Sequence, residues 1–216
     1  MSEMASRQTT DAPVPAMGET ARSAAIERTT GETQVRLSLR LDGTGQGKRE
    51  TGVGFLDHML DLLARHARFD LDVKVTGDLQ TGAHHTAEDT AIVLGQALDR
   101  ALGERVGIYR YGFGVVPMDE ARASCTIDIS GRPFTLFEAR LPPGSTGGFD
   151  HELTEEFFRA IANSAKLTLH LEVQRGTNAH HMIEAAFKAF ARALRQAVAL
   201  DPSESGVPST KGTLTA

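Results

Sequence analysis

The sequence predicts an α+β fold of two duplicated half-domains, each a small β-sheet with helices on one face. A five-residue pattern, His-His-x-x-Glu, occurs at His84–Glu88 and again at His180–Glu184. The same order of patterns precedes both copies: an amphipathic helix, an alternating strand and a loop. The repeat is roughly 90 to 100 residues long, too long for a solenoid unit. We therefore expect two similar halves that pack helix layer against helix layer or sheet against sheet.

The first half-domain is predicted at residues 23–107. A polar extension, residues 1–22, precedes it, and its composition predicts disorder. Alternation of Val35, Leu37 and Leu39 with polar residues indicates a half-buried strand, and the later elements follow from the same kind of periodicity. In order, we expect a strand at 33–41, a helix at 55–67, a strand at 69–76 and a helix at 87–102.

The second half-domain is predicted at residues 108–200 and repeats this order after an additional pair of strands. A polar tail at residues 201–216 carries no periodicity. In order, we expect strands at 108–113, 121–129 and 134–139, a helix at 153–162, a strand at 167–173 and a helix at 183–198.

Composition excludes several classes of protein. The 216 residues are 40% hydrophobic and 24% charged, which is ordinary for a globular protein with a sizeable core. A net charge of −5 argues against a general nucleic-acid binder. The single cysteine, Cys125, excludes an internal disulfide framework and fits burial in a strand of a cytoplasmic protein. No apolar run reaches the ~18 residues of a membrane span, so we expect no membrane partner.

The repeated motif predicts metal binding. Residues four apart share one face of a helix, so the first histidine and the glutamate of each motif can chelate one ion. The second histidine points about 100° away and would serve a different ion. We therefore expect two metals, each completed by the other motif. Imidazole and carboxylate suit Mn, Fe, Zn or Ni, and an oxygen-rich set favours Mn. The candidate ligands are His84, His85, Glu88, His180, His181 and Glu184.

Five segments resemble the imidazoleglycerol-phosphate dehydratase family: Phe55–Met59, Gly82–Asp89, Ser130–Pro133, His180–Arg195 and Ser209–Gly212. The resemblance implies a dehydratase that converts imidazole glycerol phosphate to imidazole acetol phosphate plus water, via a metal-bound imidazolate, in histidine biosynthesis. It further implies two Mn²⁺ ions per active site. The implied assembly is a cytoplasmic homo-oligomer of 24 subunits with its sites between subunits.

The resemblance also implies roles for single residues. His58 is a further metal ligand that also contacts the substrate, and Glu156 stands where the family often has a histidine ligand. Glu32 contacts the substrate and is our choice of general base. With Glu32, the catalytic set is His84, Glu88, His180 and Glu184. The phosphate-binding residues are Arg110, Arg132, Ser209 and Lys211, with the tail ordered around the phosphate.

Some alternatives stay open at this stage. The metal ligand at the position of Glu156 is undecided. His151 could replace the histidine that the family often has there, or it could be a solvated surface histidine. His170, in an apolar strand, is interpreted as a hydrogen-bonded residue that is either structural or supports a metal ligand. A dinuclear metal hydrolase or a non-catalytic metal-storing shell would need the same ligand pairs. Neither of these would need the arginines and the tail lysine together.

Overall fold

A computed structural model describes residues 22–214 of the chain, and the predicted extension at 1–22 lies outside this range except for Arg22. The described part contains two four-stranded sheets, four α-helices and a two-stranded hairpin. Arg22 is tied to the fold, because its guanidinium pairs with the Asp42 carboxylate. None of the described helices combines the length and the apolarity that crossing a membrane requires.

The first half contains four strands and two helices, with a short 3₁₀ helix at Leu79–Thr81 before the second helix. The elements are β1 (Ser23–Thr29), β2 (Thr33–Arg40), β3 (Arg49–Glu50), α1 (Gly54–Ala67), β4 (Asp70–Gly77) and α2 (His84–Leu102).

The second half contains four sheet strands, two helices and the small hairpin. The elements are β5 (Tyr111–Met118), β6 (Ala121–Asp128), β7 (Phe134–Glu138), β8 (Ser145–Thr146), β9 (Phe149–Asp150), α3 (Leu153–Ala165), β10 (Thr168–Arg175) and α4 (Ala179–Val198).

The two sheets have the same topology, which confirms the predicted duplication. Their strand orders are β1-β2-β4-β3 and β5-β6-β10-β7. In each sheet the last strand of the order pairs in parallel with its neighbour, and the other pairs are antiparallel. Both α1 and α3 end in a left-handed residue, Arg68 and Lys166 respectively. The halves are therefore matched down to the way in which their first helices end.

The halves pack helix layer against helix layer. α1 packs on α4 and α2 packs on α3, so each contact joins one half to the other. The apolar faces of α1 and of the strands β2 and β4 are fully buried in this core. Between α3 and α4, the rings of Phe158 and Phe187 lie 4.8 Å apart. Burial of this apolar surface is the main force that holds the two halves together.

Strand β5 corrects the prediction of a strand at 108–113. The strand begins three residues later, and its large apolar side chains Tyr111, Phe113 and Val115 are exposed. Its inner face carries Gly112 and Gly114 because the backbone of α4 leaves no room. A Cβ at Gly112 would lie 1.9 Å from the carbonyl oxygen of Ala193. The apolar alternation is thus inverted, and the sequence pattern was misleading here.

Other boundaries also differ from the prediction. Strand β1 was not predicted, because its inner face carries only partly buried residues such as Ala24 and Ile26. The helices α2 and α4 begin at His84 and Ala179, several residues before the first apolar repeat. Their first turns carry the motif histidines, which are polar and therefore do not extend the apolar pattern from which the helices were predicted. Cys125 is buried in β6, as predicted.

Candidate active site

Three potential metal ligands converge where α1 meets α4. The Nε2 atoms of His58 and His180 lie 3.4 Å and 3.1 Å from the Glu184 Oε2 atom. One ligand atom from each of these residues lies within 4.8 Å of the others, and no other such group of three exists among residues 22–214. His180 and Glu184 come from the motif, one turn apart on α4, while His58 comes from the opposite half.

Glu184 is the buried member of this group. Its side chain is only 8% exposed, and the Lys188 ammonium lies 2.5 Å from its Oε1 atom. Burial by itself would raise the pKa of the Glu184 carboxyl. The hydrogen bond and charge of Lys188, with smaller contributions from His180 and His58, outweigh burial and lower this pKa below its ordinary value. The carboxylate is therefore held ionised, as a metal ligand must be.

Phe55 supports the His180 ring. The two ring centroids are 5.0 Å apart in an edge-on arrangement, and Phe55 also contacts Phe149 at 5.7 Å. Asn178 caps α4, because its side-chain oxygen accepts a hydrogen bond from the His180 N–H at 2.9 Å. These neighbours restrict the motions of the imidazole that faces His58 and Glu184.

The duplication supplies a second, more open group of candidate ligands at the start of α2. His84 Nε2 lies 3.5 Å from Glu88 Oε2, one turn along the helix. Glu156 on α3 is the counterpart of His58 on α1, because each lies ten residues before its left-handed cap, Lys166 or Arg68. His84 and Glu156 line one cavity of about 730 Å³. At equivalent positions of the two halves, the duplication thus places the histidine His58 on α1 and the glutamate Glu156 on α3.

The second histidine of each motif faces away from these groups. His85 Nδ1 lies 3.1 Å from both carboxylate oxygens of Asp78. His181 Nδ1 lies 2.7 Å from Glu120 Oε2. The hydrogen bonds that Asp78 and Glu120 accept from these rings are the main cause of the raised pKa values of His85 and His181. Asp78 and Glu120 were not anticipated, because neither lies at a spacing that the motif predicts.

The two motifs do not meet within residues 22–214 of one chain, and the expectation that each completes the other's ion stays a prediction. The convergent group takes His58 from α1 as its third member, and neither His84 nor His85 belongs to it. The reason is the pairing of helices: α4 packs on α1 and α2 packs on α3. The first turns of α2 and α4 therefore face different partners.

Glu32 lies at the turn between β1 and β2, close to His85. Its Oε1 atom is 3.6 Å from His85 Nε2, and its side chain is 55% exposed. The turn itself is firmly held, since the Thr30 hydroxyl accepts hydrogen bonds from the backbone N–H groups of Glu32 and Thr33. The buried Asp89 carboxylate accepts from the Thr33 hydroxyl. A rigid turn thus presents a solvent-accessible carboxylate beside a motif histidine.

The predicted phosphate-binding residues gather at the far end of the second sheet. The Arg110 guanidinium donates to both oxygens of Asp128, at 2.7 and 3.1 Å, and to the Pro208 carbonyl at 2.9 Å. The tail is thereby tied beside Arg110 just before Ser209. Lys211 is exposed in the turn that follows, and its backbone N–H donates to the Ser209 hydroxyl. Arg132 is exposed and its guanidinium donates to the Ser130 carbonyl at 3.3 Å.

Within one chain this basic cluster and the metal-ligand group lie at opposite ends of α4. The Arg110 N–H donates to the Ala197 carbonyl near the C-terminal end of the helix. His180 is in its first turn. Seventeen residues at 1.5 Å per residue separate these two points by about 26 Å. A small-molecule substrate cannot reach both ends.

Two further histidines differ from their predicted surroundings. His151 is buried and not solvated, because its ring nitrogens bond to the Pro142 carbonyl at 2.7 Å and the Thr146 hydroxyl at 2.9 Å. It stabilises the loop with the β8–β9 hairpin. His170 is exposed on β10, where its ring packs against Phe134 at 5.9 Å, and that ring has no hydrogen bond to residues 22–214. Its interpretation as a hydrogen-bonded residue was wrong.

Comparison with known proteins gives one consistent result. A family model described as imidazoleglycerol-phosphate dehydratase matches residues 51–194. A relative of that name from Azorhizobium caulinodans is 57% identical over 194 residues, which cover 89% of this chain and 98% of the relative. One from Symbiobacterium thermophilum is 57% identical over 189 residues, covering 88% and 91% of the two chains.

Solved structures with similar folds carry the same name. The crystal structure of imidazoleglycerol-phosphate dehydratase from Staphylococcus aureus is 42% identical with a TM-score of 0.76, covering 83% of this chain and 99% of that chain. The Pyrococcus furiosus structure, in complex with (S)-C348, is 35% identical with a TM-score of 0.76, covering 88% and 100%.

Replacing Lys188 tests the electrostatics of Glu184. In metal-free protein, Lys188→Met should reduce stability at pH 7 by about 1–3 kcal/mol, because a buried carboxylate loses its charged partner. Without the Lys188 charge, burial becomes the larger effect on the Glu184 carboxyl, and its pKa rises above the unfolded value of about 4.3.

The sign of the pH dependence follows from these shifts. In the wild type, the contribution of ionised Glu184 is present above the unfolded pKa and is lost as pH falls through the lowered folded pKa. In the variant, protonation of Glu184 favours the folded state. The difference in unfolding free energy between the wild type and the variant should therefore become smaller as pH falls towards about 4. Thermal unfolding at both pH values measures this, with Lys74→Met, an exposed lysine on β4, as the control. A stability difference that does not change with pH would contradict the role of Lys188 in keeping Glu184 ionised.

Proposed function

We propose, on the premise that this chain belongs to the imidazoleglycerol-phosphate dehydratase family, that it removes water from imidazole glycerol phosphate to give imidazole acetol phosphate in histidine biosynthesis. The observation that carries the proposal is the 57% identity to a dehydratase over nearly the whole of both chains. The geometry agrees with it, because candidate metal ligands, an open carboxylate and a separate basic cluster are the groups that such a reaction needs.

Two divalent ions per site, which we propose to be Mn²⁺, fit the available donors. His58, His180 and Glu184 would hold one ion, since their ligand atoms already lie within 4.8 Å of one another. Imidazole and carboxylate together suit a divalent transition metal. A bound ion would supply Lewis-acid chemistry towards the imidazole ring of the substrate. The second ion would be held by His84, Glu88 and Glu156. The outward-facing His85 and His181 would each offer Nε2 to an ion of a neighbouring copy.

Glu32 is the proposed general base. Elimination of water requires a carbon-bound proton to leave, while the hydroxyl departs from the adjacent carbon. A carboxylate that takes this proton must be accessible and firmly positioned. Glu32 is 55% exposed, lies 3.6 Å from the motif histidine His85, and stands on a turn fixed by Thr30. These properties support the role that the family resemblance implied.

The basic cluster is the proposed phosphate site. Arginine offers a planar set of donors that matches phosphate oxygens, and lysine adds a point charge. Arg110 is held in place by Asp128 and the Pro208 carbonyl, so the tail residues Ser209 and Lys211 follow directly beside it. Arg132 is exposed after β6 and could add a second planar contact.

A complete site therefore needs more than one copy of the chain. The cluster around Arg110 lies about 26 Å from His180 along α4, further than one substrate spans. We propose that the group of His58, His180 and Glu184 comes from one copy and the phosphate cluster from another, within a homo-oligomer of 24 subunits.

The exposed apolar face of β5 supports assembly. Tyr111, Phe113 and Val115 are 57%, 66% and 60% exposed and lie side by side next to Arg110. The matching face of β1 in the other half carries Ser23, Ala25 and Glu27 instead. A row of large apolar side chains that remains in water is typical of a protein–protein interface. Its absence from the equivalent strand argues that it serves an interface and not the fold.

Water elimination from imidazole glycerol phosphate tests the function directly. The metal-free protein should be inactive and should regain activity on addition of Mn²⁺. His180→Ala should reduce both metal uptake and turnover strongly, while the matched change at the exposed histidine, His170→Ala, should alter neither. Hydrolysis of the phosphate ester instead of dehydration would favour a dinuclear hydrolase. Metal uptake without either reaction would favour metal storage.

Glu32→Gln tests the general base. The amide keeps the shape of the side chain but cannot take a proton. Turnover should fall by roughly 10²–10⁴, the contribution of a positioned acid–base group, while metal content and particle size stay as in the wild type. Steady-state kinetics together with metal analysis measure this. Near-normal turnover would assign the proton transfer to another residue.

A further inference from the structure

Each outward-facing histidine is held by a carboxylate that comes from outside its own helix. Asp78 follows β4 and contacts His85 Nδ1 with both oxygens at 3.1 Å. Glu120 lies in the turn between β5 and β6 and contacts His181 Nδ1 with one oxygen at 2.7 Å. In both cases the contacted atom is Nδ1, and the Nε2 atom is left on the other side of the ring.

Glu120 is itself firmly anchored. Its other oxygen, Oε1, accepts hydrogen bonds from the backbone N–H groups of Thr177 at 3.1 Å and Asn178 at 2.8 Å. These residues form the loop that leads into α4. One carboxylate therefore connects the β5–β6 turn, the start of α4 and the ring of His181.

The two contacts are not copies of one inherited position. In the first half the carboxylate lies in the loop before α2, residues 78–83. The corresponding loop before α4, residues 176–178, is shorter and contains Gly176, Thr177 and Asn178 but no carboxylate. The second half obtains the same Nδ1 contact from a different element, the β5–β6 turn. The same contact reached in two ways indicates a shared requirement at the two histidines.

That requirement follows from imidazole chemistry. When Nδ1 carries the proton and donates a hydrogen bond to a carboxylate, the lone pair of a neutral ring is on Nε2, and the ring orientation is fixed. Metal-ligating histidines usually have such a partner, whose loss costs about 10–100-fold in metal affinity. An outward-facing ring without this restraint would rotate freely.

We propose that Asp78 and Glu120 are positioning residues that fix the ring orientation and tautomer of His85 and His181, so that each presents Nε2 to a metal ion. This inference rests on the proposed function, because it assumes that these histidines ligate metal. Glu120 has the larger effect of the two. Its contact is shorter, and its own position is fixed by two backbone amides.

The matched variants are Glu120→Ala, Glu120→Gln and Asp119→Ala. Glu120→Gln keeps an oxygen that accepts from Nδ1–H. Asp119 is the adjacent carboxylate, 71% exposed, and it lies 3.7 Å from Nε2 of His181 instead of Nδ1. It therefore controls for the loss of a nearby negative charge.

Two measurements are made on the full-length protein: calorimetric titration of the metal-free form with Mn²⁺, and crystal structures of the metal-free wild type and Glu120→Ala. We expect Glu120→Ala to weaken the affected Mn²⁺ site by roughly 10–100-fold and to rotate the His181 ring away from its wild-type orientation. Glu120→Gln should keep most of the affinity, and Asp119→Ala should match the wild type. Asp78→Ala should show a smaller loss.

The result that overturns the proposal is a Glu120→Ala protein with wild-type affinity and an unmoved His181 ring, or an equal loss in Asp119→Ala. Failure of the proposed function is a separate outcome. If the wild type binds no Mn²⁺, the metal assignment fails. The ring orientation alone then decides whether Glu120 positions His181, and an unmoved ring in Glu120→Ala would reject it.

Discussion

The site depends on the packing of helices from one half-domain against helices of the other. Because α1 packs on α4, the first half contributes His58 to a group whose other members, His180 and Glu184, belong to the second half. Packing of α2 on α3 gives the reverse combination, with His84 and Glu156 on one cavity. Neither half alone carries the group of His58, His180 and Glu184, so the buried apolar surface between the helix layers also determines where these candidate ligands meet.

The same packing buries a charged carboxylate, and a neighbouring ammonium group stabilises it. Glu184 is buried among apolar residues because its helix is part of the core. The Lys188 ammonium on the next turn keeps its pKa low, so the carboxylate stays ionised at neutral pH. The more exposed corner, with His84 and Glu88, has no lysine in an equivalent contact among residues 22–214. The two groups of candidate ligands therefore differ in burial, in charge and in one residue type, even though the backbone around them is duplicated.

Much of this was predictable from the sequence, because helical periodicity links residues four apart. The pairs His84–Glu88 and His180–Glu184, the duplicated order of elements and the buried Cys125 follow from local pattern alone. The contacts that support the motif histidines do not follow from local pattern. Phe55, Asp78 and Glu120 reach the histidines through tertiary packing, and no spacing in the chain marks them. Strand β5 was predicted with the wrong bounds and the wrong buried face, because glycines face its core side, where the α4 backbone approaches too closely for a side chain.

In the proposed assembly, one active site draws the group of His58, His180 and Glu184 and its phosphate cluster from different copies of the chain. Co-expression of two differently tagged variants, His180→Ala and Lys211→Glu, tests it most directly. Each variant alone should form inactive particles. Particles purified through both tags should regain roughly a quarter of wild-type turnover, because random mixing gives some sites an intact His180 from one copy and an intact Lys211 from another. If the mixed particles are no more active than the parent variants, the two groups act within a single chain and the account is wrong.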